Sequence, residues 1–235
     1  MKTFEEARRA ILTELTSDNF EVRAEYLTCF TSDVEEFSNA MAKAFRNWRA
    51  LDGDLRGNEK RAYVSALVFS ATTLHILSLK LLVSGHLVAA GNLMRQVVES
   101  ISLALLCSGS NLATLDRFMT GRYSTNNAVR DVLRNATNLG VNDQTLEILA
   151  KAKDFYHKYS HPSHLTIASG MAFSNKGTYV GAAFDEGKLQ AYSKEIQFRL
   201  ALAKVFPSFI DCVKANIAKW LPMQHKQRKP GREPA

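Results

Sequence analysis

Leu87-Val88-Ala89-Ala90-Gly91-Asn92-Leu93-Met94-Arg95-Gln96-Val97-Val98-Glu99-Ser100-Ile101-Ser102-Leu103-Ala104-Leu105 is the run from which the fold class follows. Leu87, Gly91, Met94, Val98, Ile101 and Leu105 recur at alternating steps of four and three, so in an α-helix they form a heptad seam. A seam of that kind is stable only against another helix. Ala89, Ala90 and Gly91 carry almost no side chain, so a neighbouring backbone can approach closely there. The pattern leaves open whether that neighbour belongs to the same chain or to a second copy.

Working outward, the same periodicity recurs on both sides. Glu59 to Ser84 places Val64, Leu67, Val68, Ala71, Leu74 and Leu81 on one face, and Gly85 marks the turn into the seam helix. Before it, Ser32 and Glu35 have capping-box spacing ahead of the stripe Val34, Phe37, Met41, Ala44, Phe45 and Trp48, which ends at the loop residues Asp52, Gly53, Asp54, Gly57 and Asn58. Two shorter amphipathic segments, Thr3 to Leu15 and Asn19 to Phe30, come first.

Downstream, Asn111 to Gly121 and Thr125 to Thr137 read as short helices. Asn142 to Ser160 reads as a longer one, with Leu149, Ala152, Tyr156 and Tyr159 inward. Pro162 stops it, because proline lacks the amide donor and pushes His161 out of helical dihedrals. Leu165 to Phe173 and Thr178 to Phe184 are strand candidates joined across Ser174 to Gly177. A last helix runs from Lys188 to Trp220 on Leu189, Ile196, Leu200, Ala203, Ile210, Val213 and Ile217, with Pro207 expected to kink it. The expectation is an all-α multi-helix bundle with a small β-hairpin near residues 165–184. It forms one helical domain over 1–220, followed by a basic, flexible tail over 221–235.

Composition narrows the class. The 235 residues are 46% apolar, enough for a substantial core, and no segment repeats at a fixed period, so disordered and solenoid chains are excluded. Cys29, Cys107 and Cys212 are odd in number and widely spaced, which opposes a disulfide framework and reads as small core residues in a reducing compartment. Residues 1–9 are charged and lack the apolar run of a secretory signal, so a cytoplasmic protein is expected. Val64 to Leu79 and Ser100 to Leu115 contain no formal charge, but each falls short of the roughly 20 apolar residues of a membrane span. Both are read as buried core helices, with no membrane partner.

The net charge of +7 is uneven, since residues 219–235 alone carry +4. Inside the body, Arg117, Arg122, Arg130 and Arg134 interleave with Tyr123, Asn126 and Asn127. That mixture can grip phosphates and stack a base, although Asp116 and Asp131 dilute it and a solvated helical face has the same composition.

Tyr156-His157-Lys158-Tyr159-Ser160-His161-Pro162-Ser163-His164 concentrates three of the six histidines. His157 and His161 share a helix face, and His164 follows three later, a spacing open to a metal ion. Lys158 occupies the place where an HExxH site has its glutamate, and histidines at a helix C-terminus are equally accounted for by the helix dipole. The expectation is therefore no metal and no cofactor. Arg95 and Glu99 lie one turn apart beside the seam and can pair. GxSxG, Walker and dinucleotide-binding glycine patterns are absent.

Leu93 to Glu99, with its Arg95 followed four residues later by Glu99, resembles a helix of a large bacterial family of uncharacterised helical proteins. The spacing of Tyr156, Ser160 and His164 resembles that family's second signature. The family is similar in turn to the HEPN superfamily (higher eukaryotes and prokaryotes nucleotide-binding), helical bundles often found as dimers, many of them metal-independent ribonucleases. The resemblance covers roughly residues 64–184. It implies a polar cluster of Arg95, Glu99, Tyr156, Ser160 and His164, with His164 as acid and base and Lys158 or Arg95 stabilising a pentavalent phosphate. One departure stands out: no arginine lies four to six residues before His164, where that superfamily's ribonucleases carry one, and Lys158 offers charge without a planar fork.

Two functions are carried forward. One is a HEPN-like protein binding RNA or a nucleotide in a bacterial stress or defence setting. It would be homodimeric through the Leu87 to Leu105 helix or its neighbour, with the four arginines contacting nucleic acid. The other is a non-enzymatic interaction or scaffold protein whose polar cluster only locks the fold.

Overall fold

The computed structural model describes residues 3–53, 58–175 and 177–220. Asp54 and Gly57 of the expected loop, Lys176 of the expected turn and the expected basic tail over 221–235 lie outside them. Thr3 opens α1 (Phe4–Thr16) with a capping box, its hydroxyl accepting from the Glu6 amide and the Glu6 carboxylate accepting from the Thr3 amide. Next comes α2 (Phe20–Gly53), two helical segments joined across a kink at Phe30, at φ −132° and ψ 20°, which is where the expected segment ending at Phe30 gives way to the one expected from Ser32.

Asn58 caps α3 (Glu59–Val83), and Gly85, at φ +84°, turns the chain into α4 (Leu87–Ser108). Then follow α5 (Ala113–Met119), a 3-10 turn over Thr125–Asn127, α6 (Ala128–Leu139) and α7 (Asp143–Tyr156). The last of these tightens into a 3-10 turn over His157–Ser160, so the expected Asn142 to Ser160 helix changes pitch near its end.

Half of the first expected strand is helical. Ser163 Oγ accepts from the Thr166 amide and the Thr166 hydroxyl accepts from the Ser163 amide, which starts α8 (His164–Ser169). With threonine in place of the usual glutamate, this capping box escapes a sequence reading, whereas Ile167 and its apolar neighbours suggest a strand. The hairpin itself is short: β1 (Met171–Ala172) pairs antiparallel with β2 (Gly177–Thr178). α9 (Leu189–Ala218) closes the bundle and continues through Pro207.

The chain is thus an all-α multi-helix bundle with a small β-hairpin. α3 packs against α2, α4 and α9, and the core is drawn from the inward stripes of these helices with α6 and α7. The α4 seam is filled from within the chain, because Leu87, Gly91, Met94, Val98, Ile101 and Leu105 are all buried. What occupies its small-residue face is an aromatic ring, not a helix backbone. A methyl group at Gly91 would come within 2.3 Å of Tyr159 Cγ.

By length and composition α3 could cross a membrane, its most apolar 18 residues having a mean hydropathy of 1.8, and 44% of that window is buried inside the structure. Of the three cysteines expected in the core, only Cys107 is buried there, and Cys29 is exposed on α2.

Candidate functional site

Two polar clusters form around the Tyr156 to His164 segment, on different faces of it. Tyr156 and Tyr159, three residues apart, fall on one side and are buried, whereas His157 and His161 are exposed, His161 at the extended end of the 3-10 turn, at φ −136° and ψ 154°.

The outward cluster lines a cavity of about 450 Å³ between α4, α6 and α7. α4 contributes Arg95 and Glu99, α7 and its extension contribute Lys153, Asp154, His157 and His161, and the 3-10 turn before α6 contributes Asn126. Arg95 Nε donates to Glu99 Oε1 at 2.9 Å, and Arg95 Nη2 donates to Asn126 Oδ1 at 2.7 Å. Two fixed acceptors hold the guanidinium in one orientation, so it enters the cavity pre-organised. The His157 and His161 rings pack edge to face with centroids 5.1 Å apart. Lys153 makes no ion pair among the described residues. Two permanent cations and two carboxylates line the space beside two imidazoles. Such a set can bind an oxyanion and exchange protons with it.

The expected grouping of Arg95, Glu99, Tyr156, Ser160 and His164 therefore divides. Arg95 and Glu99 share the cavity, but with His157 and His161. Neither Tyr156, Lys158, Ser160 nor His164 lines it. Pro162 and the Ser163 cap redirect the chain, leaving His164 exposed as the first residue of α8. Lys158 is also exposed, and its carbonyl accepts from Ser163 Oγ. Ser160 Oγ is buried without a hydrogen-bond partner among the described residues. The three histidines do not converge: among the described residues no group of three His, Cys, Asp or Glu side chains is placed to hold a metal ion.

Tyr156 belongs to the inward cluster, built on a pair that sequence reasoning missed. Glu195 and Arg199, one turn apart on α9, are both buried and joined at 2.5 Å from Arg199 Nη1 to Glu195 Oε2. Tyr159 Oη donates to Glu195 Oε1, and Tyr156 Oη donates to Glu195 Oε2 at 3.3 Å. Burial opposes the Arg199 cation, but the Tyr156 and Glu195 oxygens outweigh it and keep the guanidinium charged. Burial pushes the Tyr156 phenol far above its ordinary range despite Arg199, with Glu195 adding to the rise, so this phenol stays protonated and is no acid or base.

Next to it, His75 on α3 bonds through Nε2 to the Arg199 carbonyl at 3.1 Å. Its own burial, then the Arg199 charge, pushes its pKa down to about 3. A signal for the pair did exist. The inward stripe of α9 runs through Tyr192, Ile196, Ala203 and Phe206, and Glu195 and Arg199 fall in its phase.

None of the four arginines lines the cavity, and their freedom is unequal. Arg117 stacks over the Tyr123 ring at 5.6 Å, and Tyr123 Oη donates to Asp131 at 2.9 Å. Arg122 Nε donates to Thr120 Oγ1 at 3.0 Å. Arg130 pairs with Asp131 at 3.3 Å and directly follows Val129, a cavity residue. Arg134, one turn further along α6, is exposed with no partner among the described residues. Comparison with models of protein families, with curated proteins and with solved structures gives no match to this chain.

Proposed function

We propose that the chain is a HEPN-like protein that binds RNA or a nucleotide, and that the phosphate is taken in the cavity of Arg95, Lys153, His157 and His161. The observation that carries this reading is the Arg95 guanidinium, held by Glu99 and Asn126, opening onto the same cavity as two imidazoles. A guanidinium with a lysine is the ordinary means of gripping a phosphate. Two imidazoles beside it supply a base and an acid for a ribose hydroxyl attacking its own phosphodiester, with no metal taking part. Arg130 and Arg134, exposed on α6, supply cations for the next phosphates of a strand.

The test is fluorescence anisotropy of a labelled single-stranded RNA with the wild-type chain and with His157→Ala/His161→Ala. Both rings are exposed, so this variant keeps its melting temperature. Loss of RNA binding in that variant supports the reading, and RNA affinity equal to wild type ends it.

A second reading, an interaction or scaffold protein, is favoured by the Arg95 to Asn126 bond, which ties α4 to the Thr125–Asn127 turn. On that reading Arg95→Ala lowers the melting temperature and RNA binds neither protein.

A further inference from the structure

A bound phosphate leaves one group of the cavity unexplained. Glu99 is neutralised by Arg95, whose Nε donates to its Oε1. Asp154, exposed on α7 and lining the same space, has no hydrogen bond or ion pair among the described residues. An unpaired carboxylate accepts hydrogen bonds and donates none, so beside a phosphate it repels unless the same ligand also brings it donors. Asn126 supplies the opposite function. Its Oδ1 is taken by Arg95 Nη2 at 2.7 Å, which fixes the amide and leaves Nδ2 as its free donor.

We propose that the cavity selects guanine, Asp154 accepting from the ring N1–H and the 2-amino group while Asn126 Nδ2 donates to O6. The inference rests on the reading that Arg95 and Lys153 take the adjoining phosphate. Guanine alone among the four RNA bases carries two N–H donors side by side on its Watson–Crick edge, matched to the two oxygens of one carboxylate, with an acceptor next to them. Adenine and cytosine place a ring acceptor beside the amino group, and uracil sets its single N–H between two carbonyls. Each of these turns a lone pair on the carboxylate, so Asp154 attracts one base and rejects three.

The rest of the lining suits a flat base. Val98 and Val129, both buried, give its ring an apolar wall. A volume of about 450 Å³ lies towards the lower end of the roughly 300–1,000 Å³ of small-ligand sites, which fits one nucleotide and leaves the remainder of a strand outside.

The experiment is fluorescence anisotropy of labelled oligouridines carrying one central guanosine, inosine or adenosine, with the wild-type chain and with Asp154→Asn. The residue is exposed, so the variant keeps its circular dichroism. Wild type should bind the guanosine RNA roughly tenfold more tightly than the adenosine RNA, the size of one bidentate contact to a base. Inosine lacks the 2-amino group and should fall between them. In Asp154→Asn the preference for guanosine should vanish. Equal binding of the three RNAs by the wild-type chain overturns the proposal and leaves the phosphate cavity standing. So does a variant that binds every RNA more weakly with the ratio kept, because Asp154 would then act on His157, one turn away, and not on the base. Binding to none of the RNAs would end the phosphate reading and this one together.

Discussion

The ring of Tyr159 lies against the backbone of Gly91, 68 positions earlier, so closely that a Cβ at position 91 would stand 2.3 Å from the ring Cγ. The same ring ends in the hydroxyl that donates to Glu195. One aromatic side chain therefore links the least bulky point of α4 to the buried ion pair of α9.

Gly91→Ala should destabilise the chain by about 1–3 kcal/mol, the ordinary result of overpacking a filled core. The gain in helix propensity over glycine, up to about 1 kcal/mol, offsets part of this. Urea denaturation of Gly91→Ala, Tyr159→Ala and the double variant gives the coupling. The two substitutions should be strongly non-additive, since removing the ring removes the clash. Additive losses would show that the ring and Gly91 do not meet.

Removing either member of the buried pair leaves a charge without its partner. Glu195→Leu strands Arg199, and a loss of about 3–5 kcal/mol is expected. Glu195→Leu with Arg199→Met together should cost less than Glu195→Leu alone, because no buried charge is left over. Equilibrium unfolding of the three proteins decides it, and a double variant less stable than Glu195→Leu would contradict the account.

His75 gives the chain an acid-side weakness. Its folded pKa of about 3 lies below its ordinary 6.5, so the unfolded chain takes up a proton that the folded chain refuses. The stability due to neutral His75 is whole above about pH 6.5 and is lost as pH falls from 6.5 towards 3, by up to about 1.4 kcal/mol per pH unit. In His75→Gln the fall in stability over that window should be shallower, as read from denaturation midpoints at a series of pH values. Equal slopes in the two proteins would refute this.

Asp185 acts in the same direction at lower pH. Burial raises its pKa, but bonds from the Phe173 amide, the Ser174 hydroxyl, and the Gly187 and Ser174 amides outweigh that and hold the carboxyl well below the usual range. Asp185→Asn should therefore melt earlier than wild type at neutral pH. The gap should narrow as pH falls below about 4, where the unfolded carboxyl protonates. A gap independent of pH would show that the carboxylate charge is not what holds the hairpin to the start of α9.

Arg130→Ser with Arg134→Ser should leave the melting temperature nearly unchanged, as both side chains are exposed. If each contacts one phosphate of a single strand, the plot of log affinity against log salt should flatten by about 1.4. An unchanged slope would remove these arginines from the RNA surface.

The helices were legible because their cause is local. The spacing of Val64, Val68 and Ala71 on α3, or of Met94, Val98 and Ile101 on α4, tells which face turns inward whatever it meets. The capping residues Asn58 and Asn142 act over three positions. Local signals failed where two of them competed, as at Ser163 to Ser169, where a threonine-based cap overrode an apolar run.

The sequence by itself determined that this chain is helical, where most of its helices lie and which residues are inward. Only the tertiary structure decided partners. It set the ring of Tyr159 on Gly91, Glu195 beneath two tyrosines, and His157 and His161, in place of His164, beside Arg95. The reason is that periodicity specifies a direction on one helix, whereas a site requires two directions to meet. That meeting is fixed by the packing of segments far apart in the chain, here of α4, α6 and α7 around the cavity and of Tyr156 and Tyr159 against Glu195 of α9.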